Sequence, residues 1–207
     1  MNSFYSDLLS IAGVILSVAG GIGTLYFGVE ARRLRNRNIR FDWDDVQLGA
    51  RKLAQSIFKN FSPEIVFCSS GPSALVANLM LTEIDRYLPV YVGFSQRIDR
   101  ADLCLTSSYQ IEIITTKWKT YLPNEVFLLK DKKVLIIEDC IITGDTIKEL
   151  LGVFLARGFK RENILVASLI VTDYAINANK GPDTHYYKVT DSSVFYMPWG
   201  KGVGKDY

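Results

Sequence analysis

The stretch Val134-Leu-Ile-Ile-Glu-Asp-Cys-Ile-Ile-Thr-Gly-Asp-Thr146 decides how the chain is to be read. From Lys133 to Glu138 it is a continuous apolar run closing on an acid, the pattern of a central parallel strand buried on both faces. Two adjacent carboxylates, Glu138 and Asp139, end that strand. A short loop then enters a helix, expected over about 145–157, through Thr143-Gly144-Asp145-Thr146. Backbone amides at a helix N-terminus, with a glycine allowing close approach, bind phosphate. Thr143 and Thr146 add hydroxyl donors. Carboxylates at a strand's C-terminal end accept hydrogen bonds from vicinal sugar hydroxyls, and ligands of open parallel sheets bind at that edge. The ligand chemistry implied is a sugar phosphate. The loop is not a Walker A motif, because no Gly-Lys-Ser/Thr is present.

Outward from this stretch, strands and helices alternate. Asp42 is placed to cap a helix over 43–60, with Val46, Leu53 and Ile57 on its apolar side. Glu64–Cys68 reads as a short buried strand, Ser69–Ser73 as a turn, and 74–87 as a helix. Further strands are expected at 89–94, 109–115, 125–129 and 164–172, and an edge strand at 193–197. Residues 174–193 read as polar and irregular, and the last residues, with Lys201 and Lys205, as a flexible tail. This alternation specifies an α/β fold, a parallel sheet with helices on both faces.

Ahead of this domain, from residue 41 onward, lies a different kind of sequence. Leu8–Val29 is 22 residues without a charge. As a helix it would be roughly 33 Å long, enough for a hydrocarbon core of about 30 Å. Arg32, Arg33, Arg35, Arg37 and Arg40 follow at once, which predicts a single transmembrane helix with the N-terminus outside and the domain on the cytoplasmic side of an inner or plasma membrane. Tyr26 and Phe27 sit where an interfacial aromatic belt belongs. A cleaved signal peptide carries its charge before the apolar run, not after it. Gly13, Ser17 and Gly21 form a small-residue stripe that suits either helix pairing or an ordinary membrane helix. The expected organisation is a segment 1–30 holding the span, a basic linker 31–40 and a domain 41–207.

The whole chain carries +2, but without the arginine cluster the part from 41 onward is near neutral, so a nucleic-acid-binding domain is excluded. Three cysteines without a CxxC pair exclude a disulfide scaffold and a zinc signature. The single histidine, His185, argues against a multi-histidine metal site and a His-based triad.

The acid pair followed by Thr-Gly-Asp-Thr resembles the phosphoribosyl-diphosphate (PRPP) signature of type I phosphoribosyltransferases. The opening Trp43-Asp-Asp-Val46 and the ending Phe195-Tyr-Met-Pro-Trp-Gly200 look like the purine-type branch, so the resemblance covers about 41–200. It implies that Glu138 and Asp139 hold the ribose hydroxyls, that Ile142, Thr143, Gly144, Asp145 and Thr146 take the 5′-phosphate, and that Ser69, Ser70 and Gly71 face the diphosphate. It implies PRPP and a small-molecule base as substrates, Mg2+ bridging substrate oxygens with few protein ligands, and a homodimer. Lys117 and Lys119 lie where family members have a mobile catalytic loop, and Phe195 or Trp199 would stack on a base. Two positions depart from the pattern. Ile142 stands where 6-oxopurine members carry an aspartate that accepts a proton, and the Ser69–Ser73 turn has no Arg or Lys. Three readings follow: a membrane-anchored phosphoribosyltransferase, a PRPP- or nucleotide-binding sensor with little chemistry, and an effector acting at the membrane in stress or defence.

Overall fold

The computed structural model describes residues 38–98, 111–190 and 194–203. The expected membrane span at 8–29, its small-residue stripe and the arginines at 32–37 lie outside the described residues, as does Lys205. Among the described residues no helix is long and apolar enough to cross a membrane.

The strands are β1 (Asn38–Arg40), β2 (Ile65–Cys68), β3 (Val90–Val92), β4 (Phe94–Arg97), β5 (Ile111–Ile114), β6 (Trp118–Leu122), β7 (Val134–Ile141), β8 (Ile164–Thr172), β9 (Thr184–Val189), β10 (Val194–Met197) and β11 (Gly200–Val203). The helices are α1 (Trp43–Asn60), α2 (Gly71–Glu83), α3 (Asp145–Ala156) and α4 (Asp173–Asn177). Five strands form a central sheet in the order β3-β2-β7-β8-β9, with every pair parallel. The expected parallel α/β fold is therefore present. Beside it stands a three-stranded antiparallel sheet, β4-β6-β5, and β10 and β11 form an antiparallel hairpin.

The strand period sorts the core. Ile65 and Phe67 of β2 and Val134 and Ile136 of β7 share one buried cluster with Ile147, Leu150 and Phe154 of α3. Phe154 is the centre of that cluster, its ring 4.9–5.4 Å from those of Phe67, Phe127 and Phe159. Helices α1 and α2 pack on one another, α2 against β2 and β7, and α1 against β8 and β9. Gly49 makes the last approach close: a Cβ there would lie 2.5 Å from Leu169 Cδ1. Asp42 caps α1 as expected and does so in a full capping box, exchanging hydrogen bonds with Asp45.

Several elements differ from expectation. The apolar run at 125–129 is part of a 3-10 helix, Asn124–Leu129, rather than a strand. A short run of this kind does not distinguish strand from helix by itself. The segment 89–94 breaks at Gly93 into β3 and β4, which belong to different sheets. Helix α2 begins at Gly71, three residues earlier than the expected start at 74. The described part of the 174–193 segment, residues 174–190, is not irregular: it holds most of α4 and all of β9. Strand β9 closes the parallel sheet as an edge, so it reads Thr-His-Tyr-Tyr-Lys-Val and lacks the apolar run of a central strand. Residues 201–203, expected in a flexible tail, pair with β10.

Candidate active site

Three backbone features converge at the C-terminal edge of the parallel sheet. The first is the end of β7. The strand continues past the acids to Ile141, and its pairing with β8 passes from Glu138↔Ser168 directly to Cys140↔Ile170. Both carboxylates nevertheless line one cavity. The second feature is the N-terminus of α2, capped by Ser70, whose Oγ accepts from Ser73 N at 3.3 Å. The third is the N-terminus of α3, where Gly144 occupies the cap position in the left-handed region at φ 75°. A Cβ there would lie 2.2 Å from the carbonyl oxygen of Lys180, so both the conformation and the close approach require glycine. The loop is held from below by Thr172, whose Oγ1 donates to Ile142 O at 2.5 Å.

The cavity enclosed by these features has a volume of about 410 Å³. The helix ends supply Ser69, Ser70 and Pro72 on one side and Ile142, Thr143, Gly144, Thr146 and Ile147 on the other. Strands β4 and β6 close it with Ser95, Trp118 and Thr120. Ser95 Oγ donates to Ser69 O at 2.9 Å and lies 2.8 Å from Thr120 Oγ1, which fixes the small sheet to the start of α2.

Glu138 and Asp139 share one hydroxyl. Ser73 Oγ, fully buried, lies 3.2 Å from Glu138 Oε2 and 3.2 Å from Asp139 Oδ1. Its single proton serves one carboxylate at a time. Asp139 Oδ2 accepts from Trp199 Nε1 at 3.0 Å, and Trp199 leans on Trp43 with ring centroids 5.9 Å apart. The Trp-Asp-Asp opening and the Pro-Trp ending of the domain thus meet at the second acid. Glu138 Oε1 is buried without a hydrogen-bond partner. Burial, helped by the charge of Asp139 and opposed by hydrogen bonds from Ser69 and Ser73, pushes the Glu138 carboxyl up to about 8. Burial also raises Asp139, against the hydrogen bond from Trp199. Both carboxyls are therefore held toward their neutral forms, Glu138 the further of the two, so the pair can donate as well as accept. Burial raises both the Cys140 and the Cys68 thiols, so neither is a thiolate nucleophile.

The structure brings together Glu138, Asp139, Ser69, Ser70, Ile142, Thr143, Gly144 and Thr146 in the cavity wall, with Gly71 in the first turn of α2 beside it. It separates the others. On β6 the strand period turns Trp118 and Thr120 to the cavity, whereas Lys119, between them, pairs with Glu112 Oε1 at 3.5 Å. Lys117, which precedes β6, is not part of the wall either. Phe195 is fully buried on β10 and does not face the cavity. Trp199 bonds to an acid rather than presenting a free ring edge. Asp145 is drawn aside into an ion pair with Lys180, Nζ to Oδ1 2.6 Å. The sequence reading missed Ser73, Trp118 and Thr120. The alternation of 115–121 separates the last two from the lysines but does not say which of the two faces meets the cavity.

No cation lines the cavity: among the described residues its wall holds two acids, hydroxyls, apolar side chains and the two helix ends. No group of three or more metal-ligating side chains occurs among the described residues.

A family model for the phosphoribosyl transferase domain matches residues 41–204. Among curated proteins none matches the chain. Solved structures with the same fold include a purine phosphoribosyltransferase from Pyrococcus horikoshii, 19% identical, TM-score 0.55, covering 80% of this chain and 95% of that one. A protein from Neisseria gonorrhoeae with bound ppGpp is 19% identical, TM-score 0.59, covering 79% and 89%. The xanthine-guanine-hypoxanthine phosphoribosyltransferase of Helicobacter pylori is 12% identical, TM-score 0.53, covering 79% and 94%. At these identities the likeness is one of fold.

Proposed function

The chain belongs to the phosphoribosyltransferase family, and from that premise we propose that it moves the phosphoribosyl group of PRPP onto a nitrogen base or related acceptor, releasing diphosphate, at the cytoplasmic face of an inner or plasma membrane. One observation carries the reading: a carboxyl pair and two helix N-termini open into the same cavity.

In this reading the ribose hydroxyls meet Glu138 and Asp139. The 5′-phosphate sits on the Ile142–Thr146 loop at the start of α3. The diphosphate faces Ser69, Ser70 and the first turn of α2, and the base lies toward Trp118. The C1′–oxygen bond breaks with its electron pair leaving on diphosphate, a C1′–nitrogen bond forms, and the acceptor's N–H proton passes to the departing diphosphate or to water. Ile142 has no proton-accepting atom, which disfavours a 6-oxopurine acceptor. The protein's contribution is placement and charge stabilisation.

Magnesium fits as a substrate-borne ion. Glu138 is held toward its neutral form and Asp139 is already bonded to Trp199 and Ser73, so the described wall offers few metal ligands; the unpartnered Glu138 Oε1 would hold the ion, or a water bound to it, once the acid ionises. When bound, Mg2+ offsets the charge on the diphosphate oxygens.

A second reading has specific support. A wall that holds no Arg or Lys among the described residues, together with Ile142, favours binding over turnover, and the domain then senses PRPP or a nucleotide. The ppGpp bound by the Neisseria gonorrhoeae protein suggests a ligand carrying phosphate at both ends of a ribose. The test incubates the full chain with PRPP, Mg2+ and a panel of bases and measures diphosphate release and PRPP affinity. Release with one base supports transfer, and tight binding without turnover supports sensing. Replacing Glu138 and Asp139 together by alanine abolishes binding in both readings, and binding that survives the double change overturns the site. The membrane reading predicts that the full chain stays in the membrane fraction after alkaline extraction. Recovery in the supernatant overturns it.

A further inference from the structure

The 5′-phosphate loop contains an acid. Asp145 is the first residue of α3, directly after the cap Gly144, and the proposed 5′-phosphate would bind within a few ångströms of it. A carboxylate there repels a phosphate dianion. Its neighbours Thr143, Gly144, Thr146 and Ile147 all line the cavity, but Asp145 does not. Its carboxylate is instead held by Lys180, Nζ to Oδ1 2.6 Å, across 35 residues of chain. Lys180 is fixed twice. Its backbone N–H donates to Ala175 O at 2.9 Å in the turn after α4, and its carbonyl lies against Gly144 so closely that any side chain at 144 would displace it. The same contact that demands glycine in the loop thus brings the ammonium to the acid. The Lys180 hydrogen bond also holds the Asp145 carboxyl below the usual carboxylate range, so the acid is ionised whenever the site is in use.

We propose that Lys180 is a positioning residue of the phosphate loop: its ammonium draws the Asp145 carboxylate out of the cavity and cancels its charge, which lets the start of α3 accept a phosphate dianion. The inference rests on the reading that this loop takes the 5′-phosphate of PRPP. It also supplies a cation next to a site whose wall holds none among the described residues, acting through Asp145 rather than on the ligand.

Calorimetric titration of the full chain tests it, with PRPP and with diphosphate alone as probes. Lys180→Met is expected to weaken PRPP binding about 5- to 10-fold and leave diphosphate binding, at the α2 end, unchanged. Asp145→Asn should tighten PRPP binding about 2- to 5-fold, because it leaves the lysine unopposed. The double variant should return to within about 2-fold of the unsubstituted chain, and Lys180→Arg should restore most of the affinity. A double variant as weak as Lys180→Met overturns the proposal, since Lys180 would then touch the phosphate itself or merely shape the loop. So does a Lys180→Met chain with unchanged PRPP affinity, or one that loses diphosphate binding in equal measure. These outcomes leave the phosphoribosyl reading standing, whereas an unsubstituted chain that binds diphosphate but no PRPP overturns both.

Discussion

Glu138→Gln is the most informative single substitution in this molecule. Glutamine has the shape of the protonated acid and cannot ionise. The side chain is 6% exposed, and burial moves its carboxyl from an ordinary value of 4.5 to about 8. Between those values the unfolded chain has released the proton and the folded chain still holds it. The unfolded state therefore binds fewer protons, and stability falls as pH rises through this window. Below about 4.5 both states are protonated and nothing is lost; above about 8 both are ionised and the loss is complete. At about 1.4 kcal/mol per pH unit the full loss is about 5 kcal/mol, an upper bound because cavity water stabilises the ionised acid. Urea unfolding of the full chain, followed by tryptophan fluorescence from about pH 5 to about pH 9, measures it. The substituted chain should gain about 2 to 5 kcal/mol relative to the parent between those limits. Titrating groups that do not interact with Glu138, His185 among them, contribute to both chains and cancel in the difference, whereas Asp139, which is coupled to it, does not. Parallel stability curves for the two proteins would refute the reasoning, because Glu138 would then be an ordinary solvated carboxylate.

Three further outcomes follow from the same geometry. Gly144→Ala places a Cβ 2.2 Å from Lys180 O at a positive φ. It should cost more than about 2 kcal/mol in urea unfolding and lower PRPP affinity, and a chain of unchanged stability would mean that the loop relaxes freely. Trp199→Phe removes the 3.0 Å donor to Asp139; leaving this buried oxygen unpaired should cost about 1 to 3 kcal/mol of stability, read from the urea midpoint, and weaken PRPP binding. Asp42→Ala breaks the capping box of α1 and should lower stability by about 1 kcal/mol without changing PRPP affinity, which calorimetry checks directly.

Much of this site could be read along the chain because its parts are local. An apolar run, two acids, a glycine and the start of a helix all fall between 134 and 146, and each is a statement about a few consecutive residues. The cap at Asp42 was legible for the same reason. The cavity's third wall was not. Trp118 and Thr120 reach it only because β6 pairs with β4 and β5, and the sequence does not say which face of a half-exposed strand meets a ligand. Selecting Lys117 and Lys119 followed the chemistry of the diphosphate and overlooked the two-residue period of the strand that carries one of them.

What the sequence determined by itself was the parallel α/β plan and the location of the glycine-led helix start that lines the cavity, because hydrophobic period and turn chemistry act over short distances. What only the tertiary structure decided was the state of the charges. Glu138 is neutral because strands and helices close around it, Asp139 is oriented by a tryptophan 60 residues later, and Asp145 is silenced by a lysine 35 residues later. Electrostatic energy depends on separation in space and on the exclusion of water, and neither is written in the order of the residues.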